Sequence, residues 1–226
     1  MDFWSFDAYL FDIDGTLLNT RDAIHYFAFR NALKKIFGFD ATIDGVPVHG
    51  NTDIGILRAV CRLQGISDQE FENRLPEIID RMCAEVASRR SEVQADVCPS
   101  IPELLAELKN RKKLIGVVTG NFETIGWAKL EATKLRQYFD FGSFSNRAEF
   151  RAEIFRNGLS EVRRRLSSAA RTVVLGDTPS DIAAARQVGV SIVALATGIY
   201  PQSELAALSP DQCLSCCTEL FDRLQS

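Results

Sequence analysis

Two aspartates near the start of the chain, Asp12 and Asp14, have the type and spacing of residues that do chemistry. They follow an unbroken apolar run from Ala8, which is typical of a strand buried on both faces. Side chains two positions apart on an extended chain share a side, so both carboxylates can face one point beyond the strand end. Two acids held that close stay ionised only if a cation lies between them. The simpler alternative is that Asp14 and Gly15 form an ordinary turn.

A second acidic pair lies between Gly176 and Asp181, again after an apolar run. Asp177 comes directly after the predicted strand, whereas Asp181 has a structural alternative. The spacing from Thr178 to Asp181, with Pro179 first in the helix, is that of a capping box. Several carboxylates brought together without an obvious compensating base favour a hard cation with oxygen ligands. Mg²⁺ suits such a site, because it leaves room for water and a phosphate.

Candidate anion-binding groups occur at Thr119 and Gly120, where another predicted strand passes into a helix. A hydroxyl and free backbone N–H groups can meet a phosphate there. The alternative is that Thr119 or Asn121 simply caps the helix. A phosphate beside several acids also needs a fixed positive partner, and Arg147 or Arg151 could supply one, since arginine pairs with phosphate in a planar fork. Either arginine alone is more often a surface residue.

The elements that position these residues alternate between strands and helices outside one helical segment. Strands are predicted from Ala8 and at 114–118, 139–141, 172–176 and 191–195. This alternation is typical of β-α-β units in an α/β fold with a doubly wound, mostly parallel sheet. Ligands of such sheets bind beyond the carboxyl ends of the strands, which is where the polar residues above occur.

The segment from 19 to 90 contains helical patterns and no predicted strand. One helix is expected from a cap at Thr20 to Phe37, and another from Thr52 to Gln64. A longer pattern then continues to Arg90 with Pro76 in its interior, so we expect two helices to meet there. Residues 19–90 are therefore predicted to form a small all-helical domain, inserted into a core built from residues 1–18 and 91–226.

Composition and charge exclude several classes of protein. The 226 residues are 46% hydrophobic and 25% charged, as in an ordinary soluble globular protein. The net charge of -4 argues against a nucleic-acid partner, which needs a broad basic field. No window approaches the ~20 apolar residues of a membrane span, and the N-terminus lacks signal-peptide features. We expect a cytoplasmic protein with reduced cysteines, a monomer by default with a dimer left open.

Four ordered motifs resemble those of the haloacid dehalogenase (HAD) superfamily. They are Asp12-Ile13-Asp14-Gly15-Thr16, then Val118-Thr119-Gly120-Asn121, a basic residue, and Gly176-Asp177-Thr178-Pro179-Ser180-Asp181. The first and last motifs are specific together, while the second and third are weak alone. The resemblance covers the chain outside the helical insert and implies an HAD-like Rossmannoid core. The insert follows the first motif, as do the helical cap domains of phosphoglycolate phosphatase-like members, which close over the site.

The resemblance implies a Mg²⁺-dependent phosphatase that acts on a small-molecule phosphate ester through a phosphoaspartyl intermediate. Asp12 is then the nucleophile, and Asp14 serves as general acid and general base. Thr119 is then the holder of a phosphoryl oxygen. The metal ligands implied are Asp12, the backbone carbonyl of Asp14 and Asp177, with Asp181 ordering the metal's waters.

Two assignments within this resemblance rest on weaker patterns. The family usually has a lysine in the third motif, and none lies in that window here, so the role passes to Arg151 with Arg147 in reserve. The polar loop of His49, Gly50, Asn51 and Thr52 is the expected substrate contact from the cap, together with Thr119 and Gly120 from the core. The alternative is a plain loop in which Thr52 is only the N-cap of the next helix.

Other functions on the same fold differ in the motifs that they need. A phosphomutase of the β-phosphoglucomutase type would keep all four motifs, and nothing in the sequence demands one. A non-catalytic HAD-fold regulator is expected to have lost a catalytic acid, and none is missing. A dehalogenase of the superfamily lacks the second acid of the first motif, so Asp14 favours phosphoryl chemistry.

Overall fold

The apolar run that ends at Phe11 forms the first strand of the computed structural model, which describes residues 2–222. The strands of that range are β1 (Ala8–Phe11), β2 (Leu18–Thr20), β3 (Ala95–Val97), β4 (Leu114–Val118), β5 (Phe141–Ser143), β6 (Thr172–Gly176), β7 (Ser191–Leu195) and β8 (Gln212–Leu214). The helices are α1 (Ile24–Phe37), α2 (Asp53–Leu63), α3 (Asp68–Ser88), α4 (Ile101–Asn110), α5 (Glu123–Ala132), α6 (Arg151–Arg165), α7 (Pro179–Val188), α8 (Gln202–Ala207) and α9 (Thr218–Asp222).

Six strands of the described range form one sheet in the order β5-β4-β1-β6-β7-β8, and every neighbouring pair is parallel. This arrangement, with helices between the strands, confirms the predicted α/β fold class. In the interior of the sheet, Phe11 of β1 lies opposite Val117 of β4 and Leu175 of β6. The residues that follow these three strands therefore emerge side by side at one edge of the sheet.

Alternate residues of β1 face opposite layers of the core. Tyr9 and Phe11 pack in one hydrophobic cluster with Leu104 of α4, while Leu10 packs in another with Phe155 of α6. All five side chains are fully buried. Because both faces of the strand are covered, every position must be apolar, and this explains the unbroken apolar run in the sequence.

The three helices α1, α2 and α3 follow the first motif, as the insert was predicted to do. We call these helices and their connecting loops the cap. Their buried side chains form a hydrophobic cluster of their own, which also includes Phe122, Ile125 and Ala128 at the start of α5. The cap is therefore packed against a helix of the core. The division into a cap of residues 19–90 and a core of residues 1–18 and 91–226 stays a prediction.

The prediction that residues 19–90 contain no strand is wrong at its first residues. β2 pairs with β3 as an antiparallel ribbon at the base of the cap, and α1 consequently begins at Ile24 rather than after Thr20. The chain enters and leaves the cap at neighbouring points. The two extended segments there satisfy their backbone groups by pairing with each other.

The expectation that two helices meet at Pro76 is also wrong, because α3 runs through this residue from Asp68 to Ser88. Pro76 is exposed, whereas Phe71, Ile78 and Met82 of the same helix are buried. The proline thus lies on the solvent side, where water can satisfy the carbonyl that loses its partner. Packing of the opposite face holds the two halves in one helix.

The two edge strands of the sheet, β5 and β8, differ from the predicted elements. The strand predicted at 139–141 lies at Phe141–Ser143, because it pairs with the end of β4. The edge strand β8 was not predicted, since it has three residues and only Leu214 among them is buried. All six cysteines lie in the described range and are free thiols. Among residues 2–222, no helix has the length and apolar character needed to cross a membrane.

Candidate active site

Three buried carboxylates meet at the carboxyl edge of the sheet. Asp12 follows β1, Asp177 follows β6, and Asp181 lies in the first turn of α7. One carboxylate oxygen from each residue lies within 4.8 Å of the other two. The structure thus brings together three of the residues predicted to surround a metal ion.

The charge of this cluster is incompletely compensated by its surroundings. Burial raises the pKa of Asp12 to about 6, with Arg151 opposing the rise and Asp181 adding to it. Burial, followed by repulsion from Asp12 and Asp181, raises the pKa of Asp177 to about 8. Carboxylates that resist ionisation in this way are stabilised when a cation binds among them. The oxygen-only donor set fits a hard divalent ion such as Mg²⁺.

Two glycines allow the backbone to close around Asp177. A Cβ atom on Gly15 would lie 2.1 Å from Asp177 Oδ2, and a Cβ atom on Gly198 would lie 1.9 Å from the same oxygen. Gly15 also has a φ of +82°, which favours glycine. Thr16 Oγ1 donates to Asp177 Oδ1 over 3.1 Å. The orientation of the Asp177 carboxylate is therefore fixed by the loop of the first motif.

Arg151, the first residue of α6 and the predicted third-motif cation, lies beside two of the buried acids. Its Nη2 atom lies 2.6 Å from Asp12 Oδ2 and 2.6 Å from Asp181 Oδ1. Its side chain is only 9% exposed. Arg147, the reserve assignment, is exposed and borders a different cavity that also contacts Glu123. Of the two arginines, Arg151 is the one that reaches the acids.

The sequence analysis missed Lys129, which lies on α5 and pairs with Asp14. Lys129 Nζ is 2.9 Å and 2.8 Å from the two carboxylate oxygens of Asp14, and 2.9 Å from Asn121 Oδ1. The lysine side chain is 7% exposed. One feature of the sequence could have indicated that this lysine is buried. It lies four residues after the buried Ile125, on a helix face that is otherwise apolar.

The pairing sets the protonation state of Asp14. Burial raises the pKa of this carboxyl, but the Lys129 ammonium and hydrogen bonds from Lys129 and Asn121 outweigh that effect and hold the pKa at about 2. Thr20 Oγ1 also donates to Asp14 Oδ1 over 2.9 Å. The side chain of Asp14 thus turns towards Lys129, apart from the cluster formed by Asp12, Asp177 and Asp181.

Thr119 and Asn121 form a hydrogen-bonded loop after β4. Thr119 Oγ1 accepts from Asn121 Nδ2 over 2.8 Å, and Asn121 Nδ2 also lies 2.8 Å from Asp14 Oδ2. The idea that Thr119 or Asn121 caps the next helix is wrong, because α5 has Phe122 at its N-cap position. The N–H of Phe122 instead donates to Asp53 Oδ2 of the cap over 2.7 Å.

The cap loop predicted to meet the substrate lies over the acids. His49, Gly50 and Asn51 line a cavity of about 210 Å³ that Asp12 and Thr119 also line. The side-chain amide of Asn51 makes hydrogen bonds within the loop. Its Nδ2 donates to the Pro47 carbonyl over 3.1 Å, and its Oδ1 accepts from the backbone N–H of Thr52. Of this loop, His49 is the exposed side chain.

The start of α2 fixes the cap loop to the core. Thr52 caps α2 by accepting from the Gly55 N–H over 3.0 Å, as the alternative interpretation of this loop predicted. The Asp53 N–H donates to the Gly120 carbonyl over 2.8 Å. A Cβ atom on Gly120 would lie 2.4 Å from the Asn51 carbonyl oxygen, so the cap approaches the backbone of the second motif too closely for a larger residue.

A parallel sheet with acids at its carboxyl edge and a helical cap defines a class of hydrolases. Residues 9–195 match the haloacid dehalogenase-like hydrolase family, and the chain belongs to that family. This confirms the resemblance seen in the motifs.

Named relatives and solved structures agree with this membership. A phosphoglycolate phosphatase from Synechococcus elongatus is 27% identical over 220 residues, which cover 95% of this chain and 95% of the relative. A "Probable phosphatase IndB" from Dickeya dadantii is 27% identical, with 89% and 86% covered. The structure of CbbY from Rhodobacter sphaeroides, solved in complex with phosphate, has the same fold, with a TM-score of 0.72, 22% identity and 96% of each chain covered. The chain is thus an enzyme of the HAD phosphatase type.

Proposed function

We propose that this chain is a Mg²⁺-dependent phosphomonoester hydrolase that acts on a small phosphorylated metabolite through a phosphoaspartyl intermediate. The observation that carries the proposal is the position of Asp12. Its buried carboxylate lines the cavity at the sheet edge, in contact with Arg151 and close to the other two acids of the cluster. Asp14 and Thr119 line the same cavity. The proposed nucleophile, proton carrier and phosphate-binding groups thus line one cavity.

In the first half of the reaction, an Asp12 oxygen attacks the phosphorus atom and the bond from phosphorus to the leaving oxygen breaks. Arg151 compensates charge on Asp12 and on the transferring phosphoryl group. The Thr119 hydroxyl and the backbone at Gly120 orient the phosphoryl oxygens. The leaving oxygen takes a proton from the pair of Asp14 and Lys129.

In the second half, water attacks the phosphorus atom of the acyl phosphate, and the bond to Asp12 breaks. Asp14 takes a proton from this water, so the pair with Lys129 returns to its starting state. The Lys129 ammonium lies within hydrogen-bond distance of both Asp14 oxygens, and it therefore serves as the proton reserve for both halves. The products are the free alcohol and inorganic phosphate.

The residues that would hold Mg²⁺ are Asp12, Asp177 and Asp181, with the backbone carbonyl of Asp14 as a further ligand. When bound, the ion supplies positive charge between the carboxylate nucleophile and the phosphate dianion, which otherwise repel each other. The raised pKa values of Asp12 and Asp177 support this assignment, because they indicate buried negative charge that Arg151 only partly compensates.

The test is phosphate release from a panel of phosphate esters by the purified protein, with Mg²⁺ and with a chelator. We expect release that requires Mg²⁺ and that falls by roughly a thousandfold or more in Asp12→Asn, shown by circular dichroism to be folded. Equal release by the variant would contradict the assignment of Asp12. Phosphoglycolate belongs in the panel, because a relative carries its name.

The same panel separates the two alternative functions. A phosphomutase would isomerise sugar phosphates without releasing phosphate, and a non-catalytic regulator would leave every ester intact. Complete retention of the catalytic acids favours the hydrolase over the regulator. A cytoplasmic location and a monomeric state stay predictions, to be checked by fractionation and by light scattering.

A further inference from the structure

A second cavity adjoins the one that contains the catalytic acids. Its volume is about 240 Å³, and it lies between the core and the cap. The two cavities share six lining residues, which are Asp14, His25, Val48, Asp53, Ile56 and Lys129. Asp14 and Lys129 therefore stand at the boundary between them. A proton carrier is expected at this place, with the phosphoryl group on one side and the leaving oxygen on the other.

The walls of the second cavity are largely apolar. Tyr26 and Phe29 of α1 contribute two rings, and Ile43 and Ile56 contribute aliphatic side chains. An apolar cavity of roughly 150 Å³ accommodates benzene. The second cavity therefore has room for a six-membered ring with a short linker.

The charged groups in these walls are already partnered. Lys129 pairs with Asp14, and His25 Nε2 lies 3.2 Å from Asp53 Oδ1. Asp22 accepts from two backbone N–H groups, those of residues 24 and 94. Among the described residues that line this cavity, the two basic side chains thus face carboxylates, and the acids number three. An anionic leaving group would be repelled here and would find no uncommitted cation.

We propose that the second cavity receives the leaving alcohol of the substrate, and that this alcohol is uncharged and carries an aryl ring or a ring of similar size. The inference rests on the proposed function and narrows its substrate class. It implies that phosphoglycolate, whose leaving group carries a carboxylate, is a poor substrate. The substrate in the name of the Synechococcus relative is therefore not the substrate that we propose for this chain.

The first experiment compares 2-phenylethyl phosphate with phosphoglycolate, two esters of primary alcohols. We expect kcat/KM with Mg²⁺ to be at least about tenfold higher for the phenylethyl ester. Equal or higher kcat/KM for phosphoglycolate would overturn the inference while leaving the phosphatase assignment in place.

A binding experiment tests the proposed leaving-group preference even if neither ester is hydrolysed. Calorimetry would compare 3-phenylpropylphosphonate with 3-phosphonopropionate, the matched analogues in which carbon replaces the bridging oxygen. We expect the phenyl compound to bind at least about tenfold more tightly. Tighter binding of the carboxylate compound would overturn the inference. Lack of hydrolysis of every ester would contradict the proposed function alone.

Variants test whether the preference for the phenyl compounds arises in the second cavity. Ile56→Arg adds a cation to the cavity and is expected to reduce the preference for the phenyl compounds by about tenfold. The matched control is Ile79→Arg, since Ile79 is also a partly buried cap residue but lies outside both cavities. If Ile56→Arg does not fold, Ile43→Lys makes the same test. An equal change in the control, or none in the cavity variants, would overturn the inference.

Discussion

The pair of Lys129 and Asp14 sets the chemistry of the site at the level of single residues. An aspartate with a pKa of about 2 is ionised at neutral pH, so it has no proton of its own to give and is a weaker base than an ordinary carboxylate. In the proposed mechanism this proton comes from the pair of Asp14 and Lys129, whose buried ammonium holds the carboxylate in place. Loss of this cation should therefore weaken the proton transfer proposed for Asp14.

We predict that Lys129→Met lowers kcat/KM by roughly 10–100-fold for esters of alkyl alcohols. The loss should be clearly smaller for 4-nitrophenyl phosphate, because nitrophenolate leaves without a proton. Steady-state kinetics on both esters measure the difference. Lys35→Met is the control, since Lys35 is an exposed lysine of α1. The same loss on both esters would mean that Lys129 has only a structural role.

The contact of Gly15 with Asp177 makes a second prediction about a single residue. Gly15→Ala should reduce Mg²⁺ affinity and activity by roughly 10–100-fold, because the new methyl group displaces the Asp177 carboxylate. Gly38→Ala is a matched control, since Gly38 has the same φ of +82° but no neighbour within 4 Å of its added Cβ. That control should lose only ~1 kcal/mol of stability from the left-handed backbone. Mg²⁺ titration and thermal melts separate the two effects.

Among the elements, contacts at the start of α2 and α6 hold the cap on the core. Arg58 of α2 makes two hydrogen bonds to Glu149, at 2.6 Å and 2.7 Å. Thr52 also donates to the Glu149 carbonyl over 2.6 Å. Glu149 precedes the helix that carries Arg151, so the cap is fastened beside the cation of the active site. The strength of this contact should influence how often the site opens.

We predict that Glu149→Gln shifts the cap towards open states by about 1 kcal/mol, roughly a fivefold change in their population. KM should rise several-fold, and amide hydrogen exchange should accelerate in residues 48–58. Glu161→Gln is the control, because Glu161 pairs with Arg164 and Arg165 inside α6, away from the cap. Unchanged exchange in the cap loop of Glu149→Gln would contradict this role of the ion pair.

Sequence patterns predicted elements well where burial decides the residue type, and poorly where it does not. Fully buried strands such as β1 and β6 have unbroken apolar runs. The ribbon of β2 and β3 has no such run, because its residues are mostly half-buried or exposed and are held by pairing between distant segments. Pro76 misled the prediction because local propensity cannot show which face of α3 meets solvent.

Prediction of the candidate site from the sequence has the same limit, because it succeeds only where the local pattern decides the residue type. Aspartates that directly follow buried strands can be recognised in the sequence, because an acid at the end of an apolar run calls for a structural or functional explanation. Arg151 could be assigned only as one of two arginines, because the choice depends on how α6 packs. Lys129 has no motif around it, and its approach to Asp14 depends on the placement of α5 over the sheet.

At the scale of the whole molecule, the acid cluster makes stability depend on pH when no divalent ion is bound. The pKa values of Asp12 and Asp177 rise from 3.8 to about 6 and about 8 on folding, so the folded state binds protons more tightly than the unfolded chain. Their contribution to stability is complete below the unfolded value near 4 and is lost as pH rises through about 6 and 8.

We therefore predict that the melting temperature in a chelator falls by roughly 5 °C or more between about pH 5 and about pH 9. Mg²⁺ should restore it, with a larger increase at the higher pH, because the ion replaces the lost protons as a partner for the carboxylates. Asp177→Asn should flatten the curve measured in the chelator. A variant curve parallel to that of the native protein would show that other groups cause the pH dependence.

Helix α5 belongs both to the cap interface and to the candidate active site. Ile125 and Ala128 pack in the hydrophobic cluster of the cap, and Lys129 of the same helix reaches Asp14. Opening of the cap to admit an ester would expose apolar surface of this helix to water, next to the proposed proton source. Because that exposure is unfavourable, we expect the cap to rest closed and release of the alcohol to limit turnover.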